Sequence, residues 1–400
     1  MRLNESVGAI AERLRSGAVT AEELLRSYLT KIEENGGAFC FSYLNAEDAM
    51  RSALASDERR REGRALGLLD GIPFAVEDRF CTEAMPTQCN SAWLEDYFPP
   101  YTASAVSALT DAGAVLIGKL RTRGFLSGEL PFEGTSDVCR AVREGFVPFA
   151  LAADTGGELF RTDTGGAAIV KPANGCISRF GMIASAPSLD GVAIVSESAE
   201  ACANVLALYQ KRSASEQPIR VTVGWDEADA LCRKLARAGV EVDRLPVMLL
   251  EQAIKVYRIL TAVEGASELA LYDGVRFGKC AEHGKGAWER AANTRDALFS
   301  SDEKKRILLG TALLTGEHRA RCNLMARNWR EQIRVQLRAL TDQSLLLLPQ
   351  NILSSVYGAL AEVSMATVGE DVIVLGACGQ EAQMLRLLQL LDGEEACENA

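Results

Sequence analysis

The stretch Ala152–Gly181, AADTGGELFRTDTGGAAIVKPANGCISRFG, decides how the rest of the chain is read. Asp154-Thr155-Gly156-Gly157 is a glycine-paired loop that runs on into a short apolar strand. Adjacent glycines let the backbone bend sharply and turn successive N–H groups toward one point, the arrangement that holds an anion or a developing oxyanion. The same four residue types recur at Asp163–Gly166. That second copy crowds Lys171-Pro172, so the first copy is the preferred functional loop, and Glu158 is the residue that closes it. In neither copy does a serine follow.

The flanks make the reading specific. Val147–Asp154 leads into the loop, and Lys171-Pro172 with Ile177-Ser-Arg-Phe-Gly181 follows it. Gly71-Ile-Pro-Phe-Ala-Val-Glu-Asp78 and Gly113-Ala-Val-Leu-Ile-Gly-Lys119 come before, Tyr272-Asp-Gly-Val-Arg-Phe-Gly278 and Lys305-Arg-Ile-Leu-Leu-Gly-Thr311 after. In content and order these segments resemble the amidase signature family over nearly the whole chain, and within it the amidotransferase A subunits. The resemblance implies an α/β fold, with a mixed β-sheet core covered by helices on both faces. It further implies a single domain over residues 1–400, made of an N-terminal helical part (1–65), a signature core (66–215) and the remainder of the sheet with the C-terminal helices (216–400).

The family hydrolyses amides with a Ser–cis-Ser–Lys triad, and the resemblance places those positions on other residues here. The lysine position is Glu77, and the nucleophile position is Glu158. Reading back without gaps, the cis-serine position is Gly134, with Thr135 or Ser136 if the alignment slips. The implied protein is a degenerate amidase without hydrolase activity, acting as a scaffold or regulator. Its implied partners are amidotransferase B- or C-like subunits or a second copy of itself. An active amidase with a rearranged site is one alternative, and a small-molecule binding protein using the vacated pocket is another. A carboxylate can serve as nucleophile or base, but Glu158 has no activating partner like the lost lysine. Two carboxylates in a desolvated pocket repel, so Glu77 and Glu158 require a proton or a cation between them. Arg79 and Arg161 are the nearest candidates, and at least one Glu–Arg pair is expected.

Composition narrows the remaining classes. Hydrophobic residues at 48% and charged residues at 24% suit a chain that buries a sizeable core. A net charge of −11 argues against a general nucleic-acid surface or an anionic-membrane surface. Eleven cysteines without a C-x-x-C pair or regular spacing read as reduced thiols of a cytoplasmic protein, and no signal or targeting segment is visible. The longest apolar runs, such as Leu345–Pro349, are too short to span a membrane. With no paired His or Cys spacing, neither a metal nor a cofactor is expected. His283 and His318 read as surface residues. An arrangement of Glu77, Lys171 and a cysteine such as Cys176 is conceivable from residue availability alone.

The local signals place the elements. Ser6 caps a helix bearing Val7, Ile10 and Leu14, and Thr20-Ala-Glu-Glu23 is a capping box for the next. Phe39–Leu44 and Leu69–Asp78 read as strands, Ala46–Arg64 as a charged helix, and Thr102–Ala114 as a helix feeding the strand at 114–117. Arg220–Gly224, Ala228–Ala238 and Val240–Val242 form a strand–helix–strand unit without a dinucleotide fingerprint. Glu317–Leu340 reads as one long amphipathic helix with Arg319, Arg327, Arg330, Arg334 and Arg338 on its solvated side. Gln350–Ser355 reads as a shortened loop, and Val372–Gly376 as the last strand.

Overall fold

In a computed structural model, the chain is described over residues 5–398 apart from 123–135, 162, 211–217, 246, 248, 250, 277, 282, 283 and 370. Gly134, Thr135, His283 and the segment Glu129–Phe132 lie outside the described residues. The N-terminal caps form as read. Ser6 accepts from the Ala9 amide at 3.1 Å, and Thr20 and Glu23 close a reciprocal capping box. The apolar stripes of these two helices, among them Ile10, Leu14, Leu24, Leu25 and Ile32, are buried.

The strands are β1 (Phe41–Leu44), β2 (Pro73–Glu77), β3 (Val115–Leu120), β4 (Phe149–Thr155), β5 (Ala168–Lys171) and β6 (Asp190–Ser196). They continue with β7 (Arg220–Val223), β8 (Glu241–Arg244), β9 (Leu345–Pro349), β10 (Ser364–Val368) and β11 (Val372–Gly376). Among the described residues they make one sheet in the order β1-β3-β2-β4-β6-β5-β10-β11-β9-β7-β8. Neighbours run parallel at β2/β3, β2/β4, β7/β8 and β7/β9 and antiparallel elsewhere, so the sheet is mixed. Every residue of β4 and β6 is buried, which requires cover on both faces of the sheet. Phe74 and Phe149 stack across adjacent strands at 5.4 Å.

Three segments depart from the sequence reading. Gln350–Ser355 is not a bare loop: Asn351 accepts from the Ser354 amide at 2.8 Å and caps the helix Ile352–Ala361. Its small and hydroxylated residues mask the helical period, and Ser354 and Ser355 are themselves buried. The strand β10 that follows has no counterpart in the sequence reading. The long amphipathic helix read over Glu317–Leu340 is also broken, because Arg319–Leu324 winds as a π-turn before the helix Met325–Thr341. Arg330 is no solvated ornament on it. Its guanidinium donates to Ser188 O, Ser188 Oγ and Glu362 Oε1 at 2.6–2.8 Å, tying this helix to the segment ahead of β6. His318 is exposed, as expected.

Candidate active site

The site forms where β4 outruns its parallel neighbour. The β2–β4 ladder comprises Ala75 opposite Ala150 and Val76 opposite Leu151, so Ala153 and Thr155 lie beyond its end. Their amides meet carboxylates instead. Ala153 N donates to Glu77 Oε2 at 2.7 Å, and Thr155 N donates to Glu158 Oε1 at 3.0 Å. Residues two apart on a strand present their amides to the same edge, roughly 7 Å apart. Glu77 and Glu158, each 8% exposed, therefore gather along one buried edge.

The loop after β4 is held by its own side chains. Asp154 Oδ2 accepts from Gly157 N at 2.9 Å and Oδ1 from Leu159 N at 3.0 Å. Lys171, at the end of β5, reaches Asp154 Oδ2 at 2.6 Å and Leu189 O at 3.3 Å. Burial favours protonation of Asp154, yet the Lys171 ammonium and the two amides outweigh it and hold the carboxyl below its usual range. The paired glycines are required here. Both have positive φ, and a Cβ on Gly156 would lie 1.9 Å from Tyr257 Cε2, one on Gly157 2.6 Å from Ser355 O. Tyr257 also donates its hydroxyl to Thr155 O at 3.0 Å. The second Asp-Thr-Gly-Gly copy is a turn ahead of β5, where Thr164 donates to Gly369 O at 3.1 Å.

Arg79 occupies the centre, 3% exposed. It donates to Ile183 O, to Thr155 Oγ1 at 3.2 Å and to Asp190 Oδ1 at 3.4 Å. Burial opposes its charge, but the carboxylates of Asp190, Glu77 and Glu158 together raise its pKa above the ordinary arginine value. The expected pairing of Glu77 or Glu158 with an arginine is not formed among the described residues: the arginine within ion-pair reach of a carboxylate here is Arg79, and its partner is Asp190. Asp190 opens β6 directly opposite Thr155, whose hydroxyl also donates to it, and Asp190 Oδ2 takes the Ser185 and Ala186 amides. Arg161 turns the other way. Its Nη1 donates to Gly156 O at 3.0 Å and its guanidinium lies over the Tyr257 ring.

The electrostatic outcome divides the acids. Asp78 is buried beside Lys119 Nζ at 3.7 Å, Asp154 is paired with Lys171, and Asp190 with Arg79. Among the described residues Glu77 and Glu158 make no such ion pair, and both are raised. Desolvation drives Glu77 up, only partly offset by Arg79, the Thr122 hydroxyl and the Ala153 amide. Desolvation and the neighbouring Asp154 push Glu158 up to about 7 despite Arg161 and Arg79. Lys119, whose burial lowers its pKa, donates to Phe80 O and to Thr87 Oγ1, the latter at 2.9 Å. Lys171 is committed to Asp154, and Cys176 lies beside Cys378 and Glu381, so a Glu77–Lys171–Cys176 arrangement is not assembled. Asp190 was missed in the sequence. The one local signal was an acidic residue heading an unbroken apolar run, a place where a buried carboxylate needs a partner.

The fold is shared with solved amidases. The amidase family model matches residues 23–129. The glutamyl-tRNA(Gln) amidotransferase A chain of Chloroflexus aurantiacus is 32% identical over 364 residues, covering 78% of this chain and 74% of its own. That of Alkaliphilus metalliredigens is 29% identical over 74% of this chain and 71% of its own. Among solved structures, the native peptide amidase of Stenotrophomonas maltophilia superposes with a TM-score of 0.77 at 19% identity, covering 97% of this chain and 96% of that one. The chain belongs to the amidase signature family.

Proposed function

We propose that this chain keeps the amidase fold without hydrolysing amides and serves in the cytoplasm as a scaffold or regulatory partner of an amidotransferase-like assembly. The observation that carries the reading is the fate of the loop amides. An oxyanion hole needs N–H groups aimed at the site where charge develops. Here Thr155 N is taken by Glu158, and Gly157 N and Leu159 N by Asp154. The two positions that the family resemblance assigns to lysine and nucleophile carry carboxyls with raised pKa, so neither is a strong nucleophile or a cationic proton shuttle.

The two A chains named above are subunits of glutamyl-tRNA(Gln) amidotransferases, which supports a partner for this chain as well. The segments Tyr272–Gly278 and Lys305–Thr311 carry Val275 and Leu308, 80% and 72% exposed, apolar side chains suited to cover by a B- or C-like component of such an assembly. A glutaminase and simple-amide assay on purified protein, with Glu158→Ala as control, tests the catalytic half. No turnover above background is expected, since loss of catalytic residues that act as a unit costs on the order of a millionfold. Turnover that disappears in the control overturns it in favour of a rearranged active amidase, for which a Glu158 carboxyl titrating near 7 would be the general base. Co-expression with B- and C-like components followed by light scattering tests the second half; a strictly monomeric chain favours the binding of a small molecule instead.

A further inference from the structure

Away from the loop, the sheet brings three ligand-type groups together. β10 lies between β5 and β11 and runs antiparallel to both, so the C-terminal ends of β5 and β11 meet the start of β10. Cys176 follows β5, Cys378 follows β11, and Glu381 opens the helix Glu381–Glu398 just beyond. Cys176 Sγ is 3.4 Å from Cys378 Sγ and 3.8 Å from Glu381 Oε1. All three ligand atoms lie within 4.8 Å of one another.

Glu381 is fully buried, and its surroundings orient it as a ligand is oriented. Ser364 Oγ donates to Oε1 at 2.6 Å, while Gln210 Nε2 and Gly379 N donate to Oε2 at 3.0 and 2.9 Å. Ser364 is held in turn by the Ala173 amide at 2.8 Å. The remaining lone pair of Oε1 faces the sulfur of Cys176. We propose that Cys176, Cys378 and Glu381 bind one zinc ion, with solvent in the fourth position on the exposed Cys378 side.

The geometry suits that metal. Tetrahedral zinc with sulfur at about 2.3 Å and carboxylate oxygen at about 2.1 Å sets S···S near about 3.8 Å and S···O near about 3.6 Å. The two separations that involve Cys176 come within about 0.4 Å of these values, and Cys378 Sγ lies within 4.8 Å of the Glu381 carboxylate, so closing the shell requires the Cys378 turn to move toward Glu381. A disulfide would use the same sulfurs but has no use for the carboxylate. A divalent cation binds its cysteine ligands as thiolates. On binding, the two thiols each release a proton to solvent and the carboxylate coordinates as it stands. The ion would then fasten the segment after β5 to the C-terminal helix.

The test uses full-length protein, reduced and stripped with chelator, titrated with Co2+ and then Zn2+. One equivalent of Co2+ producing sulfur-to-cobalt charge-transfer absorption, displaced by Zn2+ with a rise in melting temperature, is the expected result. Cys176→Ser and Cys378→Ser lose the absorption, Cys280→Ser keeps it, and Ser364→Ala weakens binding by about 10- to 100-fold. Circular dichroism of each variant checks that it is folded. Reduced protein that takes up no metal at micromolar concentration overturns the proposal, as does uptake unchanged in folded Cys176→Ser. A Cys176–Cys378 disulfide in air-exposed protein, with no metal uptake after reduction, overturns it in favour of a redox pair.

Discussion

Glu158 turns its carboxyl back onto the amide of Thr155, three residues earlier, at 3.0 Å, and so closes the glycine loop on itself. Desolvation and Asp154 hold this carboxyl at about 7 against an ordinary 4.5. The folded state therefore binds a proton that the unfolded chain has already released between those values, and the contribution to stability falls as pH rises through that window. Glu158→Gln keeps the acceptor for Thr155 and removes the titration. It is expected to be more stable than the parent above pH 7, by at most about 3 kcal/mol, with the difference vanishing below about pH 4.5. Melting temperatures across that pH range measure it; a variant less stable at every pH would show that the ionised carboxylate is needed.

Asp154 and Lys171 form a buried ion pair at the loop. Lys171→Met strands a buried carboxylate and is expected to cost about 3 to 5 kcal/mol. Adding Asp154→Asn should recover part of the loss, with a coupling of about 0.5 to 3 kcal/mol. Additive losses in a double-mutant cycle would mean that the two side chains act separately.

The two glycine loops provide an internal control. Gly156 and Gly166 have φ of 85° and 87°, but a Cβ at Gly166 meets nothing within 4 Å. Gly166→Ala carries the backbone strain alone, about 1 to 2 kcal/mol. Gly156→Ala adds a collision with the Tyr257 ring and is expected to lower the melting temperature by much more. Equal effects would show that the ring moves aside without cost.

Restoring Ser at position 158 together with Lys at 77 is expected to leave the chain inactive. Asp154 still occupies the Gly157 and Leu159 amides, and catalysis needs groups held within about 0.5 Å. Glutamine turnover by the double variant Glu158→Ser, Glu77→Lys would show that the loop amides are released when the carboxyls go.

The parts of this architecture that sequence reveals are those fixed by neighbours along the chain. Ser6 and Thr20 announce their helices because a cap acts over three residues, and the Asp154–Gly157 turn is visible because glycine alone tolerates its φ values. Arg79 was legible as a charge near Glu77 and Glu158, but its partner was not. Asp190 reaches it only because β6 lies antiparallel to β4, placing Asp190 opposite Thr155. The same limit hid the clamp of Arg330 on Ser188, set by a fold contact between positions far apart in sequence. In the helix Ile352–Ala361, buried serines and a glycine replace the large apolar residues that would have marked its period.

The pairing of β5 with β10 fixes when the molecule can be completed. Ala168 is matched to Val368, about 200 residues later, and a ribosome adding about 5 to 20 residues per second needs on the order of 10 to 40 s to supply it. Throughout that interval the nascent first half of the sheet presents the Ala168–Lys171 backbone as an open, adhesive margin. Birth of this protein therefore includes an enforced wait. Chains stopped short of Ser364 keep that margin open and are expected to be less soluble than the full chain.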